Sequence, residues 1–141
     1  MPSDSSDSTK YHANCHCGQI KFSVVIQNLK ASKVASCNCS ICTKNRYLLV
    51  YPKCEDVVFL TGELQMASYR FGNANKAHKF CPARGTSILI DFSESDREIE
   101  RQVTAVNIRT FVEIEELMKD LDMKHIDGKN KLGPPYSVDR S

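Results

Sequence analysis

Apolar residues recur at every second position through much of the chain, the pattern of strands that bury one face and expose the other. Residues 19–26 alternate through Ile20, Phe22 and Val24, and 47–51, 57–61, 67–71, 87–92 and 102–108 are further short β-prone runs. Gly18, Pro52, Gly62, Gly72 and Gly85 punctuate them as turns. Short runs at this spacing predict a mainly all-β domain of small antiparallel sheets. Near the end the period changes: Ile114, Leu117, Met118 and Leu121 repeat at helical spacing behind a Thr110-x-x-Glu113 capping box, which predicts one short C-terminal helix. Residues 1–10 read as a disordered leader and 11–116 as the folded domain. Residues 117–141 read as the helix end and a Gly/Pro-rich surface tail.

A chain of 141 residues with 41% hydrophobic positions suits one domain with a modest core, which metal cross-links would reinforce. It carries seven cysteines. Cys15 and Cys17 form a C-x-C, Cys37, Cys39 and Cys42 a C-x-C-x-x-C, and Cys54 and Cys81 stand alone. The first nine residues are a Ser/Asp tract without an apolar core, and no segment approaches the roughly 20 apolar residues of a membrane span. A reducing, cytoplasmic setting is therefore expected, with no membrane partner, and the clusters read as metal sites in preference to inert buried thiols. The formal charge of +2 counts every cysteine as neutral. Three thiolates around one Zn²⁺ sum to about −1, so two filled sites bring the chain to about zero, which argues against nucleic-acid binding.

The run Phe80-Cys81-Pro82-Ala83-Arg84-Gly85 has the form of half a zinc knuckle, C-x-x-C-G, with a cation in place of the second thiolate. A guanidinium stays protonated and has no lone pair to give a metal. Three outcomes are open at that position: zinc held by fewer cysteines with another ligand, loss of the metal to leave a thiol cluster, or a substitution felt mainly in stability.

Taken in order, C-H-C-G (15–18), C-N-C-S-I-C-x-K (37–44), Y-P-K (51–53), F-L-T-G (59–62), Y-R-F (69–71) and H-K-F-C-P-x-x-G-T-S (78–87) resemble the glutathione-dependent formaldehyde-activating enzyme family, which includes centromere protein V. Asn107-Ile108-Arg109 and the late D-G-K…P-P-Y are similar to its fungal members. The resemblance implies a β-tent of small sheets held by zinc. It implies a structural zinc on four cysteines, matched here by Cys15, Cys17 and Cys81 with Arg84 in the fourth place, and a reactive zinc on Cys37, Cys39 and Cys42. One or two Zn²⁺ per chain are expected, with glutathione as co-substrate. The implied activity is a carbon-sulfur lyase similar to S-(hydroxymethyl)glutathione synthase, in which the glutathione thiol adds to formaldehyde. Three protein ligands leave a coordination position for substrate, whereas a structural zinc is closed by four.

Around these motifs, His78 is a candidate proton shuttle or a packed neighbour of the metal site. Tyr47 is a candidate pocket wall, and Arg46, Arg70 and Lys76 are candidate partners for the glutathione carboxylates or plain surface charges. Asn38 and Ser40 are candidate hydrogen-bond donors to the thiolates, the His16 side chain is expected to point away, and Cys54 reads as a free thiol. The alternative to a lyase is a non-catalytic zinc module that binds glutathione or a protein or chromatin partner. A long basic extension would favour that alternative, and the short leader here is acidic. A monomer or homodimer is expected.

Overall fold

The computed structural model describes residues 8–70 and 75–131. Among these described residues ten strands form two sheets. The smaller has the order β1 (Ser8–Asn14), β2 (Lys21–Gln27), β5 (Val57–Thr61). The larger runs β10 (Asp122–Ile126), β3 (Lys33–Cys37), β4 (Leu49–Val50), β9 (Thr104–Asn107), β8 (Ser87–Asp91), β7 (Ala77–Phe80), β6 (Ala67–Tyr69). Every neighbouring pair is antiparallel except β10 and β3, which run parallel with Ile126 opposite Cys37. The fold is mainly β, as the period-two pattern predicts.

Alternation along the strands of the larger sheet feeds two apolar clusters. Val34, Val50 and Val106 point into the main core with Phe22, Val24 and Ile20 of the smaller-sheet region, while Ala35, Leu49 and Ala105 join Ile90, Phe92, Cys42 and Tyr47 on the opposite face. Ile88 and Leu89 share the main core because the β7–β8 register shifts between Lys79 and Phe80, which oppose Leu89 and Ser87. Such a bulge lets two successive residues face one way. Phe22 stacks on Phe59 at 5.0 Å and Tyr11 on Phe111 at 5.1 Å, tying β2 to β5 and β1 to the turn after β9.

The structure adds β3, β7 and the short helices α1 (Ser40–Asn45) and α2 (Glu98–Arg101), which no expected run covers, and it departs from the expected elements at both ends. β1 begins at Ser8, inside the segment expected as a disordered leader, and β10 lies inside residues 117–141, expected as the helix end and tail, where it forms a sheet edge. The helical repeat after Thr110 is realised as two single 3-10 turns, Ile114–Glu116 and Met118–Asp120, with a short α3 (Gly128–Lys131) beyond β10. The expected capping box does not form: the Thr110 hydroxyl donates backwards to the Asn107 carbonyl at 2.7 Å, and Glu113 stands in the left-handed region at φ 60°. A left-handed residue at the entrance stops an α-helix from propagating. Phe71 and Gly72, and the late Pro134, Pro135 and Tyr136, lie outside the described residues.

Candidate metal centres and binding cleft

β3 delivers Cys37 at its last position, and the Asn38 N–H continues the parallel ladder to the Ile126 carbonyl at 3.0 Å. The chain then turns at Cys39, the N-cap of α1 (Ser40–Asn45), whose carbonyl accepts from the Thr43 N–H at 2.9 Å. Cys42 follows on that helix, and Arg46 ends it at φ 55° with its N–H on the Cys42 carbonyl. The C-x-C-x-x-C spacing thus becomes a strand end, a helix cap and a helical residue. Their three sulfurs lie within 4.8 Å of one another.

The hydrogen bond from Cys42, against opposing burial and helped by backbone N–H groups, holds the Cys39 thiol down at about 5. The same bond, then burial and the charges of Cys39 and Cys37, push Cys42 strongly upward. One thiolate forms readily and resists the next. A divalent cation relieves that repulsion, and three soft sulfurs at this separation suit zinc.

Cys15, Cys17 and Cys81 make a second cluster, also within 4.8 Å, with Cys17 Sγ 3.3 Å from Cys15 Sγ and 3.6 Å from Cys81 Sγ. A tetrahedral zinc with Zn–S near 2.3 Å sets sulfurs about 3.8 Å apart, so little movement is needed to seat one. Cys15 and Cys81 are fully buried, whereas Cys17 is exposed. Burial opposes ionisation of Cys15, but hydrogen bonds from the Ile20 N–H, Cys17 and Cys81 outweigh it and bring its pKa to about 7. Arg84 is exposed, its guanidinium 3.4 Å from the Ala83 carbonyl. Cys54 joins neither cluster. Its sulfur lies 3.7 Å from the Arg101 carbonyl and 3.5 Å from the Thr104 hydroxyl.

A cleft of about 530 Å³ opens on the first-described cluster, lined by Cys37, Cys42, Arg46, Tyr47, Arg109, His125 and Asp127 among others. Arg109 is set by the buried Asn107 at the end of β9. The Asn107 side chain accepts from the Arg109 N–H at 3.2 Å and donates to the Ser87 carbonyl at 3.0 Å. Arg109 Nε then donates to the Arg46 carbonyl at 2.7 Å, joining the two cations on one rim. Burial, then the charge of Arg46, lowers the Arg109 pKa, though a guanidinium remains charged. The Asn38 side chain, also in the cleft lining, donates to the Asp127 carboxylate at 3.1 Å and accepts from the Lys129 N–H at 2.9 Å. It therefore clasps the chain after β10.

Tyr47 lines the cleft, and His78 on β7 lies behind it. The Tyr47 hydroxyl is 3.1 Å from His78 Nδ1, both residues being buried. Burial, with the Cys42 and Cys39 charges, pushes Tyr47 up to about 12 despite a hydrogen bond from Asn45, and burial with the charge of Lys76 pushes His78 down to about 4. Arg70 and Lys76 lie elsewhere, paired with Glu94 at 3.0 Å and Glu100 at 3.8 Å. Arg109, His125 and Asp127 are the ionisable cleft residues that sequence reasoning did not single out as site candidates. Only the N-I-R run pointed toward Arg109, and β10 carries no signal that would bring His125 into the cleft with Cys37.

A mainly β scaffold with two three-thiol clusters, one of them opening on a charged cleft, defines a candidate metal-thiolate protein with a small-molecule site. The sequence profile of the glutathione-dependent formaldehyde-activating enzyme family matches residues 10–124, and the chain belongs to that family. No curated protein matches it. The crystal structure of a Rhodobacter sphaeroides protein is 20% identical and aligns over 82% of this chain and 100% of that one with a TM-score of 0.66, a likeness of fold. Among the described residues no helix is long and apolar enough to cross a membrane.

Proposed function

We propose that the cleft beside Cys37, Cys39 and Cys42 binds glutathione and that the protein is a zinc-dependent carbon-sulfur lyase acting at the glutathione thiol. The observation that carries this reading is charge placement: Arg46, Arg109 and Asp127 line one cleft together with Cys37 and Cys42, two members of the three-thiol cluster. Glutathione has two carboxylates, one ammonium and one thiol, a matching set. The cleft volume lies within the range of about 300–1,000 Å³ usual for small-molecule sites.

Cys37, Cys39 and Cys42 would hold the zinc, which when bound would keep an incoming thiol in its nucleophilic thiolate form. Arg46 and Arg109 orient the carboxylates, with Arg109 fixed by its bond to the Arg46 carbonyl. Asp127, held by Asn38, meets the ammonium. Tyr47, backed by His78, forms a wall that stays a neutral hydroxyl at physiological pH. In the addition, the thiolate sulfur pair forms a C–S bond to the carbon of formaldehyde. The C=O π pair moves to oxygen, which takes a proton from water reaching the open cleft. The proton lost by the thiol returns to solvent, so the sum is thiol plus aldehyde giving the hydroxymethyl thioether. Reversal breaks the same bond.

Calorimetric titration of the zinc-loaded protein tests the reading. Glutathione should bind at least about tenfold more tightly than S-methylglutathione, which keeps every charge but cannot offer a thiolate. Equal affinities would remove the sulfur from recognition and sink the proposal.

A further inference from the structure

The Cys15, Cys17 and Cys81 cluster lies apart from the cleft, none of the three being among its lining residues. Two turns of similar build face one another there. In the first, the Gly18 N–H donates to the Cys15 carbonyl at 3.0 Å and the Cys15 N–H to the Ile20 carbonyl at 3.0 Å. In the second, the Gly85 N–H donates to the Cys81 carbonyl at 2.7 Å and the Cys81 N–H to the Thr86 carbonyl at 2.9 Å. Gly18 and Gly85 stand at φ 81° and 80°, and the His16 N–H reaches the Thr86 hydroxyl at 3.3 Å to join the turns. The first turn supplies two sulfurs and the second only one. Arg84, the third residue after Cys81, is turned outward, and among the described residues no other His, Cys, Asp or Glu joins the three sulfurs.

We infer that Cys15, Cys17 and Cys81 form a labile zinc site whose fourth ligand comes from solution, water by default and a small-molecule thiol where one is present. With Cys15 and Cys81 fully buried and Cys17 exposed, the cluster meets solvent on the Cys17 side. The Ile20 N–H, 3.3 Å from Cys15 Sγ, supports a thiolate there. A closed four-thiolate zinc has no position for an entering ligand, so a cysteine must leave before a competitor binds. A three-thiolate zinc admits the competitor first. Three thiolates around Zn²⁺ leave about −1, and the cationic Arg84 on the same turn offsets it, so an anionic thiolate can approach. The inference does not depend on the reaction proposed for the other cluster, and the two can fail separately.

The test is zinc transfer from the full, zinc-loaded chain to the coloured chelator 4-(2-pyridylazo)resorcinol. Wild type should yield two zincs per chain, that of this cluster in the faster phase because Cys17 is exposed, whereas in the other three-thiol cluster Cys37 and Cys39 are half-buried and Cys42 is buried. Cys17→Ser should abolish that phase and Cys39→Ser should keep it. Arg84→Cys, which adds the missing thiolate, should slow it by at least about tenfold, while Arg84→Ala leaves it fast. A fast phase that survives Cys17→Ser or is not slowed by Arg84→Cys overturns the inference, as does a wild type holding one zinc that Cys17→Ser does not remove. The Arg84 pair decides the matter alone if either cysteine variant fails to fold. For the outside ligand, cobalt-loaded Cys39→Ser is titrated with 2-mercaptoethanol. A stronger sulfur-to-cobalt charge-transfer band is expected, and an unchanged spectrum overturns the claim of thiol binding.

Discussion

The Tyr47 hydroxyl sits 3.1 Å from His78 Nδ1, with the two rings stacked at 5.9 Å, so a wall residue of the cleft is backed by a buried imidazole on β7. Burial, and secondarily the charge of Lys76, lowers the His78 pKa from 6.5 to about 4. Above 6.5 the imidazole is neutral folded or unfolded. As pH falls from 6.5 to 4 the unfolded chain takes the proton and the native chain does not, so stability is lost across that window. The full loss is about 3 kcal/mol. A proton NMR titration should find His78 still neutral at pH 5, and urea unfolding of His78→Gln should depend less steeply on pH than wild type. An imidazole titrating near 6.5 contradicts the burial argument.

Arg109 and Arg70 make a controlled pair. Arg109 lines the cleft and is anchored on the Arg46 carbonyl, whereas Arg70 is engaged with the exposed Glu94. Arg109→Gln should weaken glutathione binding roughly tenfold, the value of one charge-assisted contact, with zinc content unchanged. Arg70→Gln should leave affinity as it is and alter stability by under about 1 kcal/mol. Equal losses of affinity in the two variants, read by calorimetry, would remove Arg109 from the site.

Two glycines in the same backbone region should respond differently to alanine. Gly62 stands at φ 85°, and a Cβ there would meet the Gln19 carbonyl oxygen at 2.6 Å and Ile20 at 2.9 Å, so Gly62→Ala combines left-handed strain with a backbone clash. A loss on the order of 3 kcal/mol or more is expected. Gly85, at φ 80°, has nothing within 4 Å of that position, and Gly85→Ala should cost only the strain, about 1–2 kcal/mol. Urea midpoints at fixed zinc content order the two variants.

What the sequence made legible was what it encodes locally. The run 57–61 is β5 as observed, the run 19–26 overlaps β2, and the remaining period-two runs contain β4, β6, β8 and β9, because their alternation is the burial pattern itself. β1 and β10 were hidden for a related reason. Their inward residues, such as Tyr11 and Met123, are set among Ser, Thr, Lys, His and Asp, and β10 gains its place by pairing with β3 nearly ninety residues away. The residues Ile114, Leu117, Met118 and Leu121 do pack on the main core, but 3-10 turns bring them there as well as a helix would. Cysteine spacing marked both thiol clusters, since a strand end and a helix cap need only neighbouring residues. The cleft rim required Arg109 and Asp127, which only the tertiary fold brings to Cys42. Arg70 and Lys76 illustrate the converse: charge without a known position selects surface ion pairs as readily as a site.

The central claim, that chemistry on the glutathione thiol occurs at Cys37, Cys39 and Cys42, is tested most directly by exchange NMR on ¹³C-formaldehyde and glutathione. Because the adduct also forms unaided, the readout is the interconversion rate above the enzyme-free value at equal concentrations. Wild-type protein should raise that rate and Cys39→Ser should return it to the enzyme-free value, with Cys54→Ser as active as wild type. Undiminished exchange in a folded Cys39→Ser protein would contradict the account.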